Sequence, residues 1–225
     1  MGTTYVLMHS PSVGPATWAP VARCLPGSIV PSLTQIGAAG PSFWPAVAGT
    51  VATAIDRLPA GERVVLVAHS NAGLFVPAVV AASERTVEAL VFVDAAVPAR
   101  PGPTAVVSPE FLPFLRAMAG DDGRLPPWTT WWDESEVAPM FPDAGTRRTV
   151  EAEQPRLPLS YYEQLVPAPP GWDDRTCGYL LFAPPYDTIA AECGWPVEHL
   201  PGRHLHQLVD PDAVAEAIRK LSHSG

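Results

Sequence analysis

The chain has 225 residues, of which 47% are hydrophobic and 16% are charged, and its 23 acidic and 14 basic residues give a formal net charge of -9. This length and composition fit one globular domain with a substantial core rather than a disordered chain. The negative charge argues against a nucleic-acid-binding or anionic-membrane surface, so we expect a small molecule as the partner.

Short apolar runs rich in β-branched residues alternate with helical patterns, which is typical of a parallel sheet covered by helices on both faces. The predicted strands lie near residues 4–9, 28–33, 63–69, 88–94, 178–183 and 196–200. The predicted helices lie near residues 17–25, 42–58, 71–83, 187–193 and 210–222. The sequence therefore predicts an α/β protein with a mostly parallel sheet of about six strands.

The first residues, Thr3-Thr4-Tyr5-Val6-Leu7-Met8, are strand-like and lack the basic region, long apolar core and cleavage site of an export signal. The three cysteines are an odd number without metal-ligand spacing, which predicts reduced thiols rather than a disulfide framework. Both observations favour a cytoplasmic location.

The stretch from 63 to 74 reads as an apolar strand that runs into a serine and then into a helix, which is the pattern of a nucleophile elbow. Such a turn forces Ser70 toward positive φ and brings the residues two before and two after it close together. Those residues are Ala68 and Ala72, which are small although the usual motif has Gly, and Gly73 leaves room where the helix meets the sheet. Ser70 is therefore the candidate nucleophile.

Residues 99–176 differ from the rest of the chain, because they are rich in Pro, Trp and acidic residues and are too long for a plain loop. We predict that they form a helical lid inserted into a core made of residues 1–98 and 177–225. The aromatic side chains of this segment, among them Trp128 and Trp131, predict an apolar or aromatic substrate, although packing explains any single one of them equally well. An apolar lid could also be the surface of a homodimer.

Taken together, these motifs resemble the α/β-hydrolase superfamily, similar to its esterases and hydroxynitrile lyases, over essentially the whole chain. The resemblance rests on Tyr5-Val-Leu-Met-His-Ser-Pro-Ser, on Ala68-His-Ser-Asn-Ala, and on Pro201-Gly-Arg-His-Leu-His ahead of Asp210-Pro-Asp-Ala-Val-Ala. Members often have two more strands before the first of these motifs. The resemblance therefore implies a reduced α/β-hydrolase fold.

The resemblance also implies a catalytic triad with Ser70 as the nucleophile and His204 as the general base, because imidazole can take and return a proton near neutral pH. Two carboxylates could hold that imidazole. Asp94 follows a predicted strand where some members carry the acid, and Asp187 follows a later strand where most carry it. We favour Asp94 and keep Asp187 as the alternative, while His206 could line the site or support it.

The first loop departs from the family pattern. The residue after the usual His-Gly pair normally gives an N–H to the oxyanion hole, but here the pair is His9-Ser10 and Pro11 has no N–H. The N–H of Asn71 should remain, and its side-chain amide could add a contact. A hydroxyl of Ser10 or Ser12, or the N–H of Ser12, could replace the lost donor, whose removal typically costs about 3 kcal/mol of transition-state stabilisation.

The leading hypothesis is a serine hydrolase of esterase or thioesterase type acting through an acyl-enzyme. The missing donor motivates a second hypothesis, in which a lyase, isomerase or cyclase uses His204 as acid and base. A non-catalytic small-molecule receptor is the third. The sequence has no phosphate-binding Gly-rich loop and no clustered metal ligands, so neither a cofactor nor a metal is expected.

Overall fold

The structure is a computed structural model that describes residues 2–100 and 102–223. Its main sheet has five strands in the order β1-β2-β3-β6-β7, and every pairing in it is parallel. These strands are β1 (Thr3–Met8), β2 (Arg63–His69), β3 (Ala89–Val93), β6 (Thr176–Leu181) and β7 (Val197–His199). The short strands β4 (Thr104–Ala105) and β5 (Leu165–Val166) form a separate antiparallel pair.

The helices cover both faces of the main sheet. One face packs against α2 (Trp44–Asp56) and α3 (Val76–Ala82), and the other packs against α1 (Ala19–Cys24) and α9 (Pro211–Leu221). Alternate residues of each strand enter opposite cores, as the period of a strand requires; Leu66 and Ala68 lie in one cluster, and Val65 and Val67 lie in the other. The fold class predicted from the sequence is confirmed.

The predicted strand at residues 28–33 is wrong. Ile29 alone bridges to Val6, with its N–H bonded to the Tyr5 carbonyl and its own carbonyl accepting from Leu7. Pro31 follows two residues later and has no N–H for the ladder, so the pairing ends there. The predicted helix at 71–83 is also divided, because Ser70–Phe75 is a 3-10 helix that leads into α3.

The chain between Asp94 and β6, called the insertion below, comprises residues 95–175. It contains the strands β4 and β5 and four short helices: α4 (Leu112–Met118), α5 (Glu134–Val137), α6 (Ala144–Glu153) and α7 (Leu159–Tyr162). Several of its buried side chains, including Leu115, Leu157 and Tyr161, belong to the same core cluster as α2 and α3. The insertion therefore packs onto the sheet domain through a shared core.

Among the described residues, the last α-helix before α9 is α8 (Tyr186–Glu192), which follows β6. Asp210 caps α9 through a hydrogen bond from the Ala213 N–H to its carboxylate, as expected for an Asp-Pro helix start. Across the described ranges, none of the helices has both the length and the apolar character needed to cross a lipid bilayer.

Candidate active site

Ser70 lies at the sharp turn where β2 passes into a 3-10 helix, and its φ of 60° confirms the strained conformation expected of an elbow. Ala68 and Ala72 are fully buried beside it. Gly73 is needed at the next contact, since a Cβ there would lie 2.1 Å from the carbonyl oxygen of Ala96. The small residues thus let the helix start close against the sheet and present Ser70 at the carboxyl end of β2.

A chain of hydrogen bonds links three residues that are far apart in the sequence. His204 Nε2 is 2.9 Å from Ser70 Oγ, and His204 Nδ1 is 2.7 Å from Asp94 Oδ2. With Nδ1–H donating to the carboxylate, Nε2 is left as the acceptor for the Ser70 hydroxyl. This arrangement can take a proton from Ser70 and stabilise the imidazolium that results.

Asp94 follows β3 directly and is completely buried, with a φ of 44°. Its Oδ1 accepts hydrogen bonds from the backbone N–H groups of Phe182 at 2.9 Å and Ala183 at 3.2 Å. Its Oδ2 is therefore left to face His204. Asp187, the other candidate acid, lies instead on the exposed side of α8.

Three aromatic rings surround the imidazole of His204. The Tyr186 ring is parallel to it within 3°, with ring centroids 5.1 Å apart, and Trp128 lies 5.9 Å away on another side. His69 lies 4.6 Å away, and its Nε2 donates to the His204 carbonyl oxygen at 2.7 Å. Burial lowers the pKa of His69 well below its usual value, so His69 is a neutral support for the loop that carries His204.

Sequence reasoning did not identify Tyr186. Burial raises the pKa of Tyr186 to about 12, although its side-chain hydrogen bond with Ser70 acts in the opposite direction. Its hydroxyl is thus a neutral group near the candidate nucleophile. No sequence motif marks Tyr186, whereas the neighbouring Asp187 was a candidate for the acid of the triad.

The cavity at Ser70 is small in this conformation. It is lined by Ser10, Ser12, Val13, His69, Ser70, Trp128, His204 and Leu205, and its volume is about 10 Å³. That volume holds about one water molecule. Among the described residues of the insertion, Trp128 lines this cavity.

Two predicted site residues lie elsewhere. Trp131 is not among the residues that line the cavity; its ring lies 5.5 Å from that of Tyr162, and its Nε1–H donates to the Pro126 carbonyl. The ring of His206 packs 5.3 Å from that of Phe182 and does not line the cavity within the described residues. Side-chain direction, which the sequence does not give, decides which residues face the cavity.

The first loop and Asn71 also differ from expectation in detail. The Ser12 N–H donates to Ser10 Oγ at 3.3 Å instead of facing Ser70. The Asn71 side chain is held by the insertion, because its Nδ2 donates to the Val106 carbonyl at 3.1 Å and its Oδ1 accepts from the Tyr161 hydroxyl. The expected contribution of the Asn71 amide to the cavity is therefore wrong, while its backbone N–H remains a candidate donor.

No protein-family model matches the chain, and no curated protein matches it significantly. Solved structures do. A tomato methylketone synthase I variant superimposes with a TM-score of 0.76 at 14% identity, covering 99% of this chain and 98% of that one. An extracellular α/β-hydrolase from a Paenibacillus species, described as similar in structure and function to tobacco salicylic acid binding protein 2, has a TM-score of 0.74 at 15% identity, covering 98% and 99%.

A pyrethroid hydrolase from Sphingobium faniae has a TM-score of 0.74 at 19% identity, covering 99% of this chain and 98% of that one. Because these similarities extend over nearly the whole of each chain, they establish that this chain has the α/β-hydrolase fold. The resemblance inferred from the sequence motifs is confirmed at the level of the fold.

Proposed function

We propose that the protein is a serine hydrolase of esterase or thioesterase type that acts on a mainly apolar or aromatic small molecule. The observation that carries this proposal is the hydrogen-bonded chain from Ser70 through His204 to Asp94, at the carboxyl ends of the strands of an α/β-hydrolase fold. Two of the three similar structures described above are named as hydrolases.

In this mechanism the Ser70 oxygen attacks the carbonyl carbon of the substrate while its proton passes to His204 Nε2. Asp94 stabilises the imidazolium, which then gives the proton to the leaving alcohol or thiol as the carbonyl–heteroatom bond breaks. His204 then takes a proton from water as the water attacks the acyl-enzyme, and it returns that proton to the Ser70 oxygen as the acid is released. The N–H of Asn71, near the start of the helix after Ser70, is the first donor to the oxyanion.

The apolar side chains around Ser70 support an apolar acyl group. Val13, Trp128 and Leu205 lie on the cavity lining, and the position of Trp128 there supports the proposal that residues 99–176 act as a lid over a core of residues 1–98 and 177–225. A small-molecule substrate is accordingly the proposed partner. The three cysteines are free, which supports the proposed cytoplasmic location.

A second candidate function is a lyase, isomerase or cyclase reaction in which His204 moves a proton and Ser70 only binds the substrate. Pro11 favours it, because the loop lacks the backbone donor that stabilises a tetrahedral oxyanion. The similarity to a methylketone synthase is consistent with non-ester chemistry on this fold.

The test is intact-protein mass spectrometry after incubation with a fluorophosphonate, on wild type and on the Ser70→Ala and His204→Ala variants. We expect one adduct on wild type and none on either variant, and hydrolysis of 4-nitrophenyl butyrate that is lost in parallel. His199→Ala is the matched control, since His199 is exposed, and it should be labelled like wild type. Folded wild-type protein that neither forms the adduct nor hydrolyses the ester would overturn the hydrolase proposal.

A further inference from the structure

The proposed acyl transfer needs two donors for the oxyanion, and the structure has one obvious candidate. The N–H of Asn71 follows the nucleophile, but Pro11 has no N–H to oppose it. The backbone of the first loop cannot supply a substitute without breaking its own bonds. The Ser12 N–H donates to Ser10 Oγ at 3.3 Å, and the Val13 N–H donates to the Ser10 carbonyl at 3.0 Å.

A side-chain hydroxyl is available at the same place. Ser12 is 7% exposed and lines the cavity together with Ser70. Its Oγ lies 2.9 Å from the hydroxyl of Tyr162, which reaches it from α7 in the insertion. A serine hydroxyl can donate one hydrogen bond and accept two. If Ser12 is the acceptor in its hydrogen bond with Tyr162, it can still donate its own proton to another group.

The direction of this hydrogen bond therefore decides whether the Ser12 proton is available. Tyr162 is 4% exposed, and among the described residues Ser12 Oγ is the hydrogen-bond partner of its hydroxyl. If Tyr162 accepted the bond, its own proton would be buried without an acceptor, which is costly. Tyr162 is therefore the donor, and the Ser12 proton is free to point into the cavity. Burial raises the pKa of Tyr162 above its usual value, so this donor stays protonated throughout the working pH range.

The neighbouring residue makes a corresponding contact on the other side of the site. The Tyr161 hydroxyl donates to the side chain of Asn71, whose backbone N–H is the first oxyanion donor. The two tyrosine rings pack edge to face with centroids 4.8 Å apart, and Tyr161 is fully buried. One short helix thus fixes Ser12 and Asn71 together.

We propose that the Ser12 hydroxyl is the second oxyanion donor and that Tyr162 is a positioning residue that aims it. This inference rests on the proposed hydrolase function. When the Ser70 oxygen bonds to the carbonyl carbon, the electron pair of the carbonyl bond moves to its oxygen, and the Ser12 hydroxyl and the Asn71 N–H hydrogen-bond to the resulting oxyanion. Both release it when the leaving group departs.

The first test is the steady-state hydrolysis of 4-nitrophenyl butyrate by Ser12→Ala, Tyr162→Phe and Ser12→Thr. Loss of one preorganised donor lowers kcat by about 10²- to 10³-fold, so we expect that loss in Ser12→Ala with KM changed less than threefold. Tyr162→Phe, which keeps the ring, should lose about tenfold in kcat, and Ser12→Thr, which keeps a hydroxyl, should retain most of it. Ser160→Ala is the matched control on α7, because Ser160 is exposed.

The second test separates a donor from a merely structural serine. Pro11→Ala restores a backbone N–H at the position where the family pattern has one. In the Ser12→Ala background we expect Pro11→Ala to raise kcat at least tenfold, with thermal unfolding showing that each variant is folded. An active wild type with Ser12→Ala within threefold of its kcat, or no rescue by Pro11→Ala, would overturn this inference alone. A wild type without ester hydrolysis would overturn the hydrolase proposal and this inference with it.

Discussion

Asp94 is a residue whose position is defined from several directions. Its backbone has a φ of 44° that non-glycine residues seldom adopt, and its N–H donates to the Leu180 carbonyl at 2.7 Å. The next residue is also held, because the Tyr179 hydroxyl accepts from the Ala95 N–H at 2.9 Å and donates to the Ala95 carbonyl at 2.7 Å. This strain and these contacts fix the carboxylate that faces His204.

Replacing Asp94 with Asn tests the role of that carboxylate. The amides of Phe182 and Ala183 select the amide oxygen of an Asn at the Oδ1 position, which turns its NH₂ group toward His204. His204 Nδ1 must then accept, so its proton moves to Nε2, where it can no longer receive the Ser70 proton. We expect Asp94→Asn to lower kcat for 4-nitrophenyl butyrate by about 10³- to 10⁴-fold.

Asp187→Asn is the matched control for this substitution, because Asp187 lies exposed on α8. Its kcat should stay within twofold of wild type. Equal losses in the two variants, or a loss confined to Asp187→Asn, would contradict the assignment of Asp94 as the acid.

The sequence predicted Ser70 from the local pattern of a strand, a sharp turn and a helix, and it predicted His204 from the resemblance to the α/β-hydrolase superfamily. The choice between Asp94 and Asp187 could not be decided that way, since both follow strands, and the difference lies in the backbone amides of a distant loop. Tyr186 was missed for the same reason. Its contact with Ser70 depends on how α8 packs, not on any neighbour in the sequence. The catalytic roles of these residues stay predictions.

At the scale of elements, the 3-10 helix Ser70–Phe75 packs tightly against the turn that follows β3. Gly73 lies against the turn after Asp94, where an added Cβ would lie 2.1 Å from the Ala96 carbonyl oxygen and 3.2 Å from the Ala95 side chain. The Ala96 N–H also donates to the Ser70 carbonyl at 3.1 Å. This contact couples the backbone of the nucleophile to the backbone next to the acid.

Gly73→Ala should therefore lower both stability and activity. Overpacking of this kind typically costs about 1–3 kcal/mol, and the nearest atom is a backbone oxygen, which cannot rotate away. We expect a loss of that size in the free energy of unfolding in urea, together with a lower kcat because Ser70 and Asp94 move apart.

Gly49→Ala gives the comparison within a helix. Gly49 lies inside α2 with no heavy atom within 4 Å of an added Cβ, so alanine should raise the free energy of unfolding by about 0.5–1 kcal/mol. A Gly73→Ala variant as stable as Gly49→Ala would contradict the tight packing of the elbow.

The elements that the sequence predicted well are the long ones with a clear period, such as β2 and α9. For the insertion, the sequence predicted a helical segment but did not locate its individual helices. Its helices have between four and ten residues, which is too short for a periodic signal, and they are stabilised by packing onto the shared core. The strand predicted at 28–33 does not form because Pro31 has no N–H for the ladder. Pro31 is visible in the sequence, but its effect on pairing could be recognised only after the bridge at Ile29 showed where the chain meets the sheet.

For the whole molecule, a buried neutral histidine links stability to pH. His9 is 0% exposed; its Nδ1–H donates to the Ser10 carbonyl at 2.8 Å, and its Nε2 accepts from the Leu33 N–H at 2.9 Å. Burial lowers the pKa of His9 from 6.5 to about 4. Below pH 6.5 the unfolded chain therefore binds a proton that the folded protein refuses, so stability falls as the pH falls from 6.5 to 4.

We expect this linkage to cost about 2 kcal/mol of the free energy of unfolding between pH 7.5 and pH 5. Urea unfolding at the two pH values measures it. His9→Gln, which keeps a donor and an acceptor but does not titrate, should show a smaller fall, and His199→Gln, at an exposed position, should behave like wild type. The same pH dependence in wild type and His9→Gln would rule out His9 as its source.

The pairing of His69 with Val93 in the β2–β3 register has a consequence for how this architecture can change. Ser70 directly follows His69, and Asp94 directly follows Val93. The separation of Ser70 and Asp94 is therefore set by the pairing of β2 with β3 in the sheet. The insertion comes after both residues in the sequence. Beyond Ala96, the insertion can therefore diverge in length and sequence without altering that spacing.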